Sequence, residues 1–286
     1  MRILVHALLV LIGCLPLAVL HALGASLGAL LGIFPNRTRE LARRHVEIAF
    51  PQMPPAQREA IVRASLRHMG MSVLEAPAIW FGPEWRLKRW IADPQVQGQL
   101  KEIGARGAIL LCPHLGSWEL AGMLVCDSVP VTSLYKPQKG VFDELIKRGR
   151  SRLGQKLAPS TIHGVKQLME ALRARETIGI LPDQDPPWGS GVFAPLFGVQ
   201  AHTTALVTKL AARAKVPVWF VLAERLPWGA GFRFHLLQAP PGIDDAEQGP
   251  AMLNRGIEEV LRKLPQQYWW SYKRYRRRPP GEPEFY

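Results

Sequence analysis

Two side chains that can move a proton lie close together between an apolar segment and a predicted helix. They are His114 and Glu119, in the segment Cys-Pro-His-Leu-Gly-Ser-Trp-Glu that begins at Cys112. On a continuous helix this spacing puts the side chains about 140° apart, but across a strand-to-helix turn they can converge. Neutral His114 would accept a proton from a hydroxyl, while Glu119 holds the other ring nitrogen and stabilises the imidazolium. The segment therefore predicts general-base catalysis without a protein nucleophile.

The same spacing also fits a half-buried histidine that pairs structurally with a glutamate. Catalysis is favoured because His114 is the only histidine with an acid five residues later. It also follows a predicted strand, and open α/β sheets bind ligands at the carboxyl ends of their strands. Ser117 is suited to cap the following helix, which puts Glu119 in its first turn. Cys112 ends an apolar strand and is interpreted as a small buried residue rather than a nucleophile.

A second polar segment, Leu-Pro-Asp-Gln-Asp-Pro-Pro from Leu181, also follows a predicted strand. Its acids, Asp183 and Asp185, fit three roles: ordering the loop, binding sugar hydroxyls or holding a metal ion. A basic helix predicted over 141–153 contains Arg150, and the C-terminal tail mixes Trp and Tyr with Lys and Arg. Such basic segments bind phosphates or form a solvated surface.

The N-terminal residues 3–34 contain no Asp, Glu, Lys or Arg. As a helix, this run exceeds the roughly 30 Å core of a bilayer, so we predict a transmembrane helix bent at Pro16. A signal peptide and a buried core helix are the alternatives, and a run that does not span would lie in the membrane interface. Four arginines follow the run and only Arg2 precedes it, which predicts that the body of the protein is cytoplasmic.

Helices are predicted over 36–50 and 55–80. Beyond residue 95, predicted strands, among them 131–135 and 232–238, alternate with predicted helices, which indicates an α/β sheet packed by helices. The 286 residues carry 36 Lys and Arg against 23 Asp and Glu, a net charge of +13, so an anionic partner is expected: nucleic acid, an anionic membrane or an acidic protein. The apolar N-terminus favours lipid over nucleic acid. The three cysteines are an odd number and widely spaced, so they predict neither a disulfide framework nor a zinc site.

The segment His114-Leu-Gly-Ser-Trp-Glu119 resembles the H-x-x-x-x-[D/E] box of the glycerolipid acyltransferase superfamily. The form H-x-G-x-W-E is similar to the late acyltransferases of lipid A biosynthesis. The likeness extends over nearly the whole chain, through Tyr135-Lys136-Pro137, the loop from Leu181 and the tail from Tyr268. Where such proteins often have Tyr-Arg-Pro, this chain has Lys136, which keeps the charge without the bidentate fork of arginine.

The resemblance implies an α/β fold with a mixed sheet flanked by helices, preceded by an N-terminal transmembrane helix. It implies His114 and Glu119 as catalytic residues and no metal or organic cofactor. It also implies an acyl-carrier-protein thioester as donor and a Kdo-bearing lipid A precursor as acceptor. The candidate substrate-binding residues are Arg150, Lys136, Asp183, Asp185 and Trp118.

We therefore expect a membrane anchor over residues 1–35 and a cytoplasmic acyltransferase domain over 36–286, bound to the bacterial inner membrane and its anionic lipids. The basic residues Lys147, Arg148, Arg152 and Lys156 are expected to steer the acidic carrier protein. Two alternatives stay open. One is acylation of another glycolipid or a lysophospholipid from acyl-coenzyme A, and the other is a non-catalytic protein that binds anionic lipid.

Overall fold

A computed structural model of the chain describes the backbone from Arg2 to Tyr286 and the side chains from residue 4 onward. The chain begins with a series of helices that precede the first strand. These are α1 (Arg2–Cys14), α2 (Leu17–Ile33), α3 (Arg37–Ala49), α4 (Pro55–Phe81), α5 (Glu84–Trp90) and α6 (Pro94–Gly104). The helices predicted over 36–50 and 55–80 are confirmed as α3 and α4. Asn36 caps α3 as its side chain accepts a hydrogen bond from the amide of Arg39 at 3.0 Å.

The apolar run predicted as one transmembrane helix is divided between α1 and α2. The two helices are bent by 112° at a break next to Pro16, which has no amide hydrogen to continue the helical ladder. Among the described residues, no single helix is long and apolar enough to cross a membrane, and only this bent pair meets the requirement by length and composition. The bend at Pro16 is confirmed, but a transmembrane helix is not.

The second helix packs backbone to backbone against α4. A Cβ atom on Gly28 would lie 2.1 Å from the carbonyl oxygen of Leu66, and one on Gly70 would lie 2.1 Å from that of Gly24. Only glycine allows helices to approach this closely. The opposite face of α2 is apolar and exposed, with Val19, Leu23, Leu27, Leu30 and Leu31 on the surface.

A mixed sheet forms the centre of the molecule, as predicted. Its strands lie in the order β3-β2-β4-β1-β7-β8, and all adjacent pairs are parallel except β7 with β8. The strands are β1 (Ile109–Leu111), β2 (Val131–Tyr135), β3 (Lys156–Pro159), β4 (Thr177–Ile180), β7 (Val218–Arg225) and β8 (Phe232–Gln238). A separate antiparallel hairpin is formed by β5 (Gly191–Leu196) and β6 (Val199–Thr204).

Helices cover both faces of this sheet. Ile109 and Leu111 of β1 point into a core shared with α3 and α4, whereas Leu110 points into a core shared with α5 and α6. Because both faces are buried, the central strand β1 is continuously apolar. The later helices are α7 (Trp118–Ser128), α8 (Val141–Arg150), α9 (Ile162–Arg173), α10 (Leu206–Ala214) and α11 (Gly249–Lys263). Helix α7 contributes to the core that contains Leu110, whereas α9, α10 and α11 contribute to the core that contains Ile109 and Leu111.

The register of β1 and β4 decides which loops meet. Leu111 pairs with Ile180 in parallel register, so the residues that follow these two strands lie side by side at the same edge. His114 and Asp183 are each the third residue after this pair. The edge at the carboxyl ends of β1 and β4 therefore brings the two polar segments together.

Candidate active site

His114 lies in the turn between β1 and α7, and its partner is Asp183. The ring Nδ1 is 2.9 Å from Oδ1 of Asp183, and the backbone amide of His114 donates to Oδ2 of the same carboxylate at 3.0 Å. Asp183 is 2% exposed and His114 is 16% exposed. Burial alone would raise the pKa of Asp183, but the charge of His114 and its hydrogen bonds hold that pKa below the usual value.

The predicted pairing of His114 with Glu119 is therefore replaced by a pairing with Asp183. The physical reason is the parallel register of β1 and β4, which puts the turn after β4 directly beside the turn after β1. Asp183, expected to contact substrate, lies behind the imidazole instead. The sequence contains a signal for this pairing, because Cys112-Pro113-His114 and Leu181-Pro182-Asp183 follow their strands with equal spacing.

The protonation of the ring follows from the chemistry of its neighbours. A carboxylate accepts hydrogen bonds, so Nδ1 carries the hydrogen and Nε2 keeps the lone pair of a base. Nε2 faces outward, where the side-chain amide nitrogen of Gln184 lies 3.2 Å away. His114 is thus oriented with its basic nitrogen toward solvent and its donor nitrogen against a buried acid.

Glu119 lies in the first turn of α7, as predicted, but it binds Arg150 and Trp80. The Nε of Arg150 donates to Oε2 at 3.0 Å while its other nitrogen reaches Oε1, and the indole nitrogen of Trp80 donates to Oε2 at 3.0 Å. Burial would raise the pKa of Glu119, but Arg150 outweighs it and lowers the pKa. Arg150, expected to bind a substrate phosphate, has its guanidinium engaged by this bidentate pair.

A narrow apolar cavity of about 50 Å³ opens beside these residues, between α7 and the sheet. Trp118, Glu119 and Arg150 lie at its polar end. Gly122 lies on its wall and has no atom within 4 Å of the position that a Cβ would take. The rest of the wall is mainly aliphatic: Leu110, Ala121, Met123, Val125, Val131, Leu134, Ile180, Leu181 and Val221.

Two open grooves also meet at His114. One is lined by the C-terminal segment, including Trp269, Tyr272, Lys273 and Arg276. The other is lined by Tyr135, Lys136, Gln138, Ile146 and Ser160. Lys136, a predicted binding residue, is therefore on a groove wall and exposed. Trp118, another, packs against the imidazole with ring centroids 5.2 Å apart.

The structure gives Asp185 a role within the loop. Its carboxylate is fully buried, 2.9 Å from Nδ1 of His202 and 2.6 Å from Arg277. Its backbone amide donates to the hydroxyl of Tyr272 at 3.1 Å. The expectation that Asp185 contacts substrate gives way to the alternative that it orders the loop.

Cys112 lies at the carboxyl end of β1, with its Sγ 3.6 Å from the carbonyl oxygen of Trp118. Burial raises the pKa of this thiol, and the carboxylates of Glu119 and Asp183 raise it further. A protonated thiol is a weak nucleophile. Within the part of the chain that the structure describes, no three His, Cys, Asp or Glu side chains converge as metal ligands would.

A histidine base in two grooves that adjoin an apolar cavity, on a mixed α/β sheet, is suited to acyl transfer. The chain belongs to the bacterial lipid A biosynthesis acyltransferases, whose family model matches residues 1–277. The resemblance inferred from the H-x-x-x-x-E box is thus confirmed, and the protein is an O-acyltransferase of lipid A biosynthesis.

Several named relatives match most of the chain. The lipid A biosynthesis lauroyltransferase of Escherichia coli (strain K12) is 31% identical over 95% of this chain and 90% of its own length. The palmitoleoyltransferase of the same organism is 29% identical, again over 95% of this chain and 90% of its own length. The myristoyltransferase from that strain is 26% identical over 90% of this chain and 81% of its own length.

Proposed function

We propose that this chain transfers a fatty acyl group from an acyl-carrier-protein thioester to a hydroxyl of a Kdo2-lipid IVA type precursor, forming an acyloxyacyl group. The acceptor hydroxyl lies on a hydroxyacyl chain that the precursor already carries. One observation carries this proposal: His114 lines two open grooves, and both grooves share Arg150 with the apolar cavity beside them. Three ligand parts converge there, namely an acyl chain, its carrier and a glycolipid.

The chemistry follows from the protonation of His114. Nε2 takes the proton of the acceptor hydroxyl as the oxygen attacks the thioester carbonyl, and Gln184 gives way to that hydroxyl. Asp183 stabilises the imidazolium, because its carboxylate lies 2.9 Å from Nδ1. The tetrahedral intermediate then expels the thiolate, which receives the proton from Nε2. The acyl carbon loses its bond to sulfur and gains one to oxygen, with no covalent acyl-enzyme.

The apolar cavity is suited to the acyl chain. Its aliphatic walls lie between α7 and the sheet, and its polar end holds Trp118, Glu119 and Arg150. Burial of each methylene stabilises the bound chain by about 0.8 kcal/mol. Glu119, kept ionised by Arg150, then acts at the cavity mouth rather than on the imidazole, where it orients the substrate atoms beside Trp118.

A basic surface next to the groove of Lys136 is suited to an acidic carrier protein. The four residues expected to form it are only partly available. Lys147 pairs with Asp143 at 2.7 Å, Lys156 pairs with Glu176 at 3.0 Å, and Arg152 donates to backbone carbonyl groups. Among the described residues, the exposed cations that make no ion pair on this side of the molecule are Lys136, Lys139 and Arg148.

The exposed apolar faces of α1 and α2 support binding to the inner membrane on its cytoplasmic side. Trp85 and Trp228 are 68% and 95% exposed, and indole rings are enriched at membrane interfaces. The anchor assigned to residues 1–35 would then lie in the interface or re-enter one leaflet, where anionic headgroups attract the basic body over residues 36–286.

Replacing His114 by alanine tests the base. We expect the rate of acyl transfer from labelled acyl-carrier protein to detergent-solubilised lipid A precursor to fall by about 10²–10⁴-fold. His163→Ala is the matched control, because His163 is exposed on α9. Retention of more than half the activity by His114→Ala contradicts the proposal. Equal efficiency with acyl-coenzyme A would favour the alternative glycolipid or lysophospholipid reaction.

A further inference from the structure

A buried ion pair lies behind the catalytic turn, outside the grooves and the cavity. Glu75 of α4 and Arg225 at the end of β7 are each 1% exposed. The Nε of Arg225 donates to Oε1 of Glu75 at 2.7 Å, and a second guanidinium nitrogen donates to Oε2 at 2.8 Å. Burial would raise the pKa of Glu75, but Arg225 and His21 outweigh it and hold the pKa at about 2. The carboxylate is therefore a fixed negative charge at neutral pH.

Two further groups bind the same carboxylate. His21 of α2 places its Nε2 2.5 Å from Oε1, and the hydroxyl of Ser117 donates to Oε2 at 2.9 Å. Glu75 thus joins α2, α4, β7 and the start of α7. A buried carboxylate with this many donors is held in a single geometry.

Ser117 is the residue through which this cluster reaches the site. It lies between His114 and Glu119 and is 2% exposed, and it lines neither the cavity nor the two grooves. Its backbone amide donates to the carbonyl oxygen of Ala223 at 2.8 Å. Gly116 beside it has a φ of +61°, and a Cβ there would lie 2.2 Å from the same oxygen. The catalytic turn is therefore fixed in front by Asp183 and behind by Glu75.

The position of His21 shows why α2 matters here. Its helix is apolar, yet this one imidazole faces inward and is 5% exposed. The close approach at Gly24, Gly28 and Gly70 brings α2 near enough for His21 to reach Glu75. Membrane contact requires only the opposite face of α2, so the inward histidine has a separate role.

We propose that Glu75 is a positioning residue for the catalytic turn and that His21 of α2 completes the hydrogen bonding of the Glu75 carboxylate. Helix α2 then supports catalysis as well as membrane contact. This inference rests on the proposed role of His114 as the base. Loss of either Ser117 or His21 as a donor releases the turn, and a displacement of about 1 Å at a reacting group lowers the rate by about 10²-fold.

His21→Leu separates positioning from anchoring, because leucine makes α2 more apolar and preserves membrane binding. We expect kcat on detergent-solubilised acceptor to fall about 10-fold to 100-fold with little change in KM. Ser26→Leu is the matched control: Ser26 lies on the exposed face, and its hydroxyl donates only to Ala22 of its own helix. His21→Gln, which keeps a donor at similar reach, is expected to restore most of kcat. Pelleting with anionic vesicles is expected to be unchanged for all three variants.

Ser117→Ala tests the link to the catalytic turn without changing α2. Ser117→Ala is again expected to lower kcat about 10-fold or more. Ser128→Ala is the matched control: it removes a hydroxyl that donates to the carbonyl group of Leu124 at the other end of α7, and it is expected to retain wild-type kcat. The inference is overturned if Ser117→Ala or His21→Leu retains wild-type kcat. It is also overturned if His21→Leu and Ser26→Leu lose kcat equally. Activity in His114→Ala would instead overturn the proposed base, so the two failures are distinguishable.

Discussion

Asp183→Asn is the sharpest test of how the imidazole is held. Each oxygen of Asp183 accepts one hydrogen bond from His114, one from Nδ1 and one from the backbone amide. Asparagine has one oxygen and one amide group, so its NH₂ must face one of these two donors. If the NH₂ group faces the backbone amide of His114, two hydrogen-bond donors oppose each other. If the NH₂ group faces the ring, Nδ1 must accept, so the ring hydrogen moves to Nε2 and that nitrogen is no longer a base. The substitution therefore removes the charge, and it also disrupts either the backbone hydrogen bond or the tautomer.

The expected magnitude follows from the distance between the charged groups. At 2.9 Å and an effective dielectric constant of about 20, a carboxylate stabilises an imidazolium by about 6 kcal/mol. Since each 1.4 kcal/mol changes a rate about tenfold, the loss in kcat is on the order of 10⁴. An amide in place of the carboxylate of a serine-protease triad has a comparable effect of about 10⁴.

The assay is single-turnover transfer of a labelled acyl group to detergent-solubilised acceptor, with the melting temperature measured in parallel. Glu224→Gln is the matched control, because the Glu224 carboxylate binds His235 at the same 2.9 Å and also pairs with Arg233, and neither partner belongs to the catalytic turn. We expect this control to stay within about twofold of the wild type, as a partly exposed pair contributes little. A folded Asp183→Asn protein that keeps more than a tenth of the wild-type rate would refute the role of Asp183.

Three further predictions concern the cavity, the thiol and the pH dependence of stability. Gly122→Leu fills the open space on the cavity wall, so the enzyme is expected to prefer a shorter acyl chain, with selectivity changing about fourfold per methylene. Mass spectrometry of the product measures the chain length, and an unchanged product profile would contradict acyl binding in this cavity. Cys112→Ala is expected to keep at least half the activity, since burial keeps the thiol protonated, and a stable acyl adduct on Cys112 in intact-mass spectra would overturn direct transfer. Burial lowers the pKa of His45 from 6.5 to about 4, so its contribution to stability is present above pH 6.5 and is lost as the pH falls toward 4. This loss is about 3 kcal/mol, and urea unfolding should show a shallower pH dependence for His45→Asn than for the wild type.

Local patterns in the sequence predicted most of the helices and strands. The strands over 131–135 and 232–238 have the predicted bounds, and α3 and α4 match the predicted helices within a residue. The N-terminal run shows the limit of such patterns. Its composition is that of a membrane span, and Pro16 predicts the bend, but the packing of α2 on α4 depends on long-range contacts. Residue types along the run do not encode which helix face meets another segment.

The catalytic pair shows the same limit. The position of His114 after a strand predicts a catalytic base, but the five-residue spacing points to Glu119 as its acid, and Glu119 binds Arg150 instead. Asp183 is distant in sequence and becomes a neighbour only because β4 lies next to β1 in the sheet. Strand order is set by the packing of the whole domain, so spacing within one segment could not identify this partner.

The ion pair of Glu75 with Arg225 also constrains the order in which the chain can fold during synthesis. Arg225 leaves the ribosome about 200 residues after His21, an interval of roughly 10–40 s at typical elongation rates. Until then Glu75 has no guanidinium partner, and burying an unpaired carboxylate is strongly unfavourable. The layer of α2 on α4 therefore cannot close in its final form before β7 has been made. The first helices to be synthesised are thus among the last to reach their native packing.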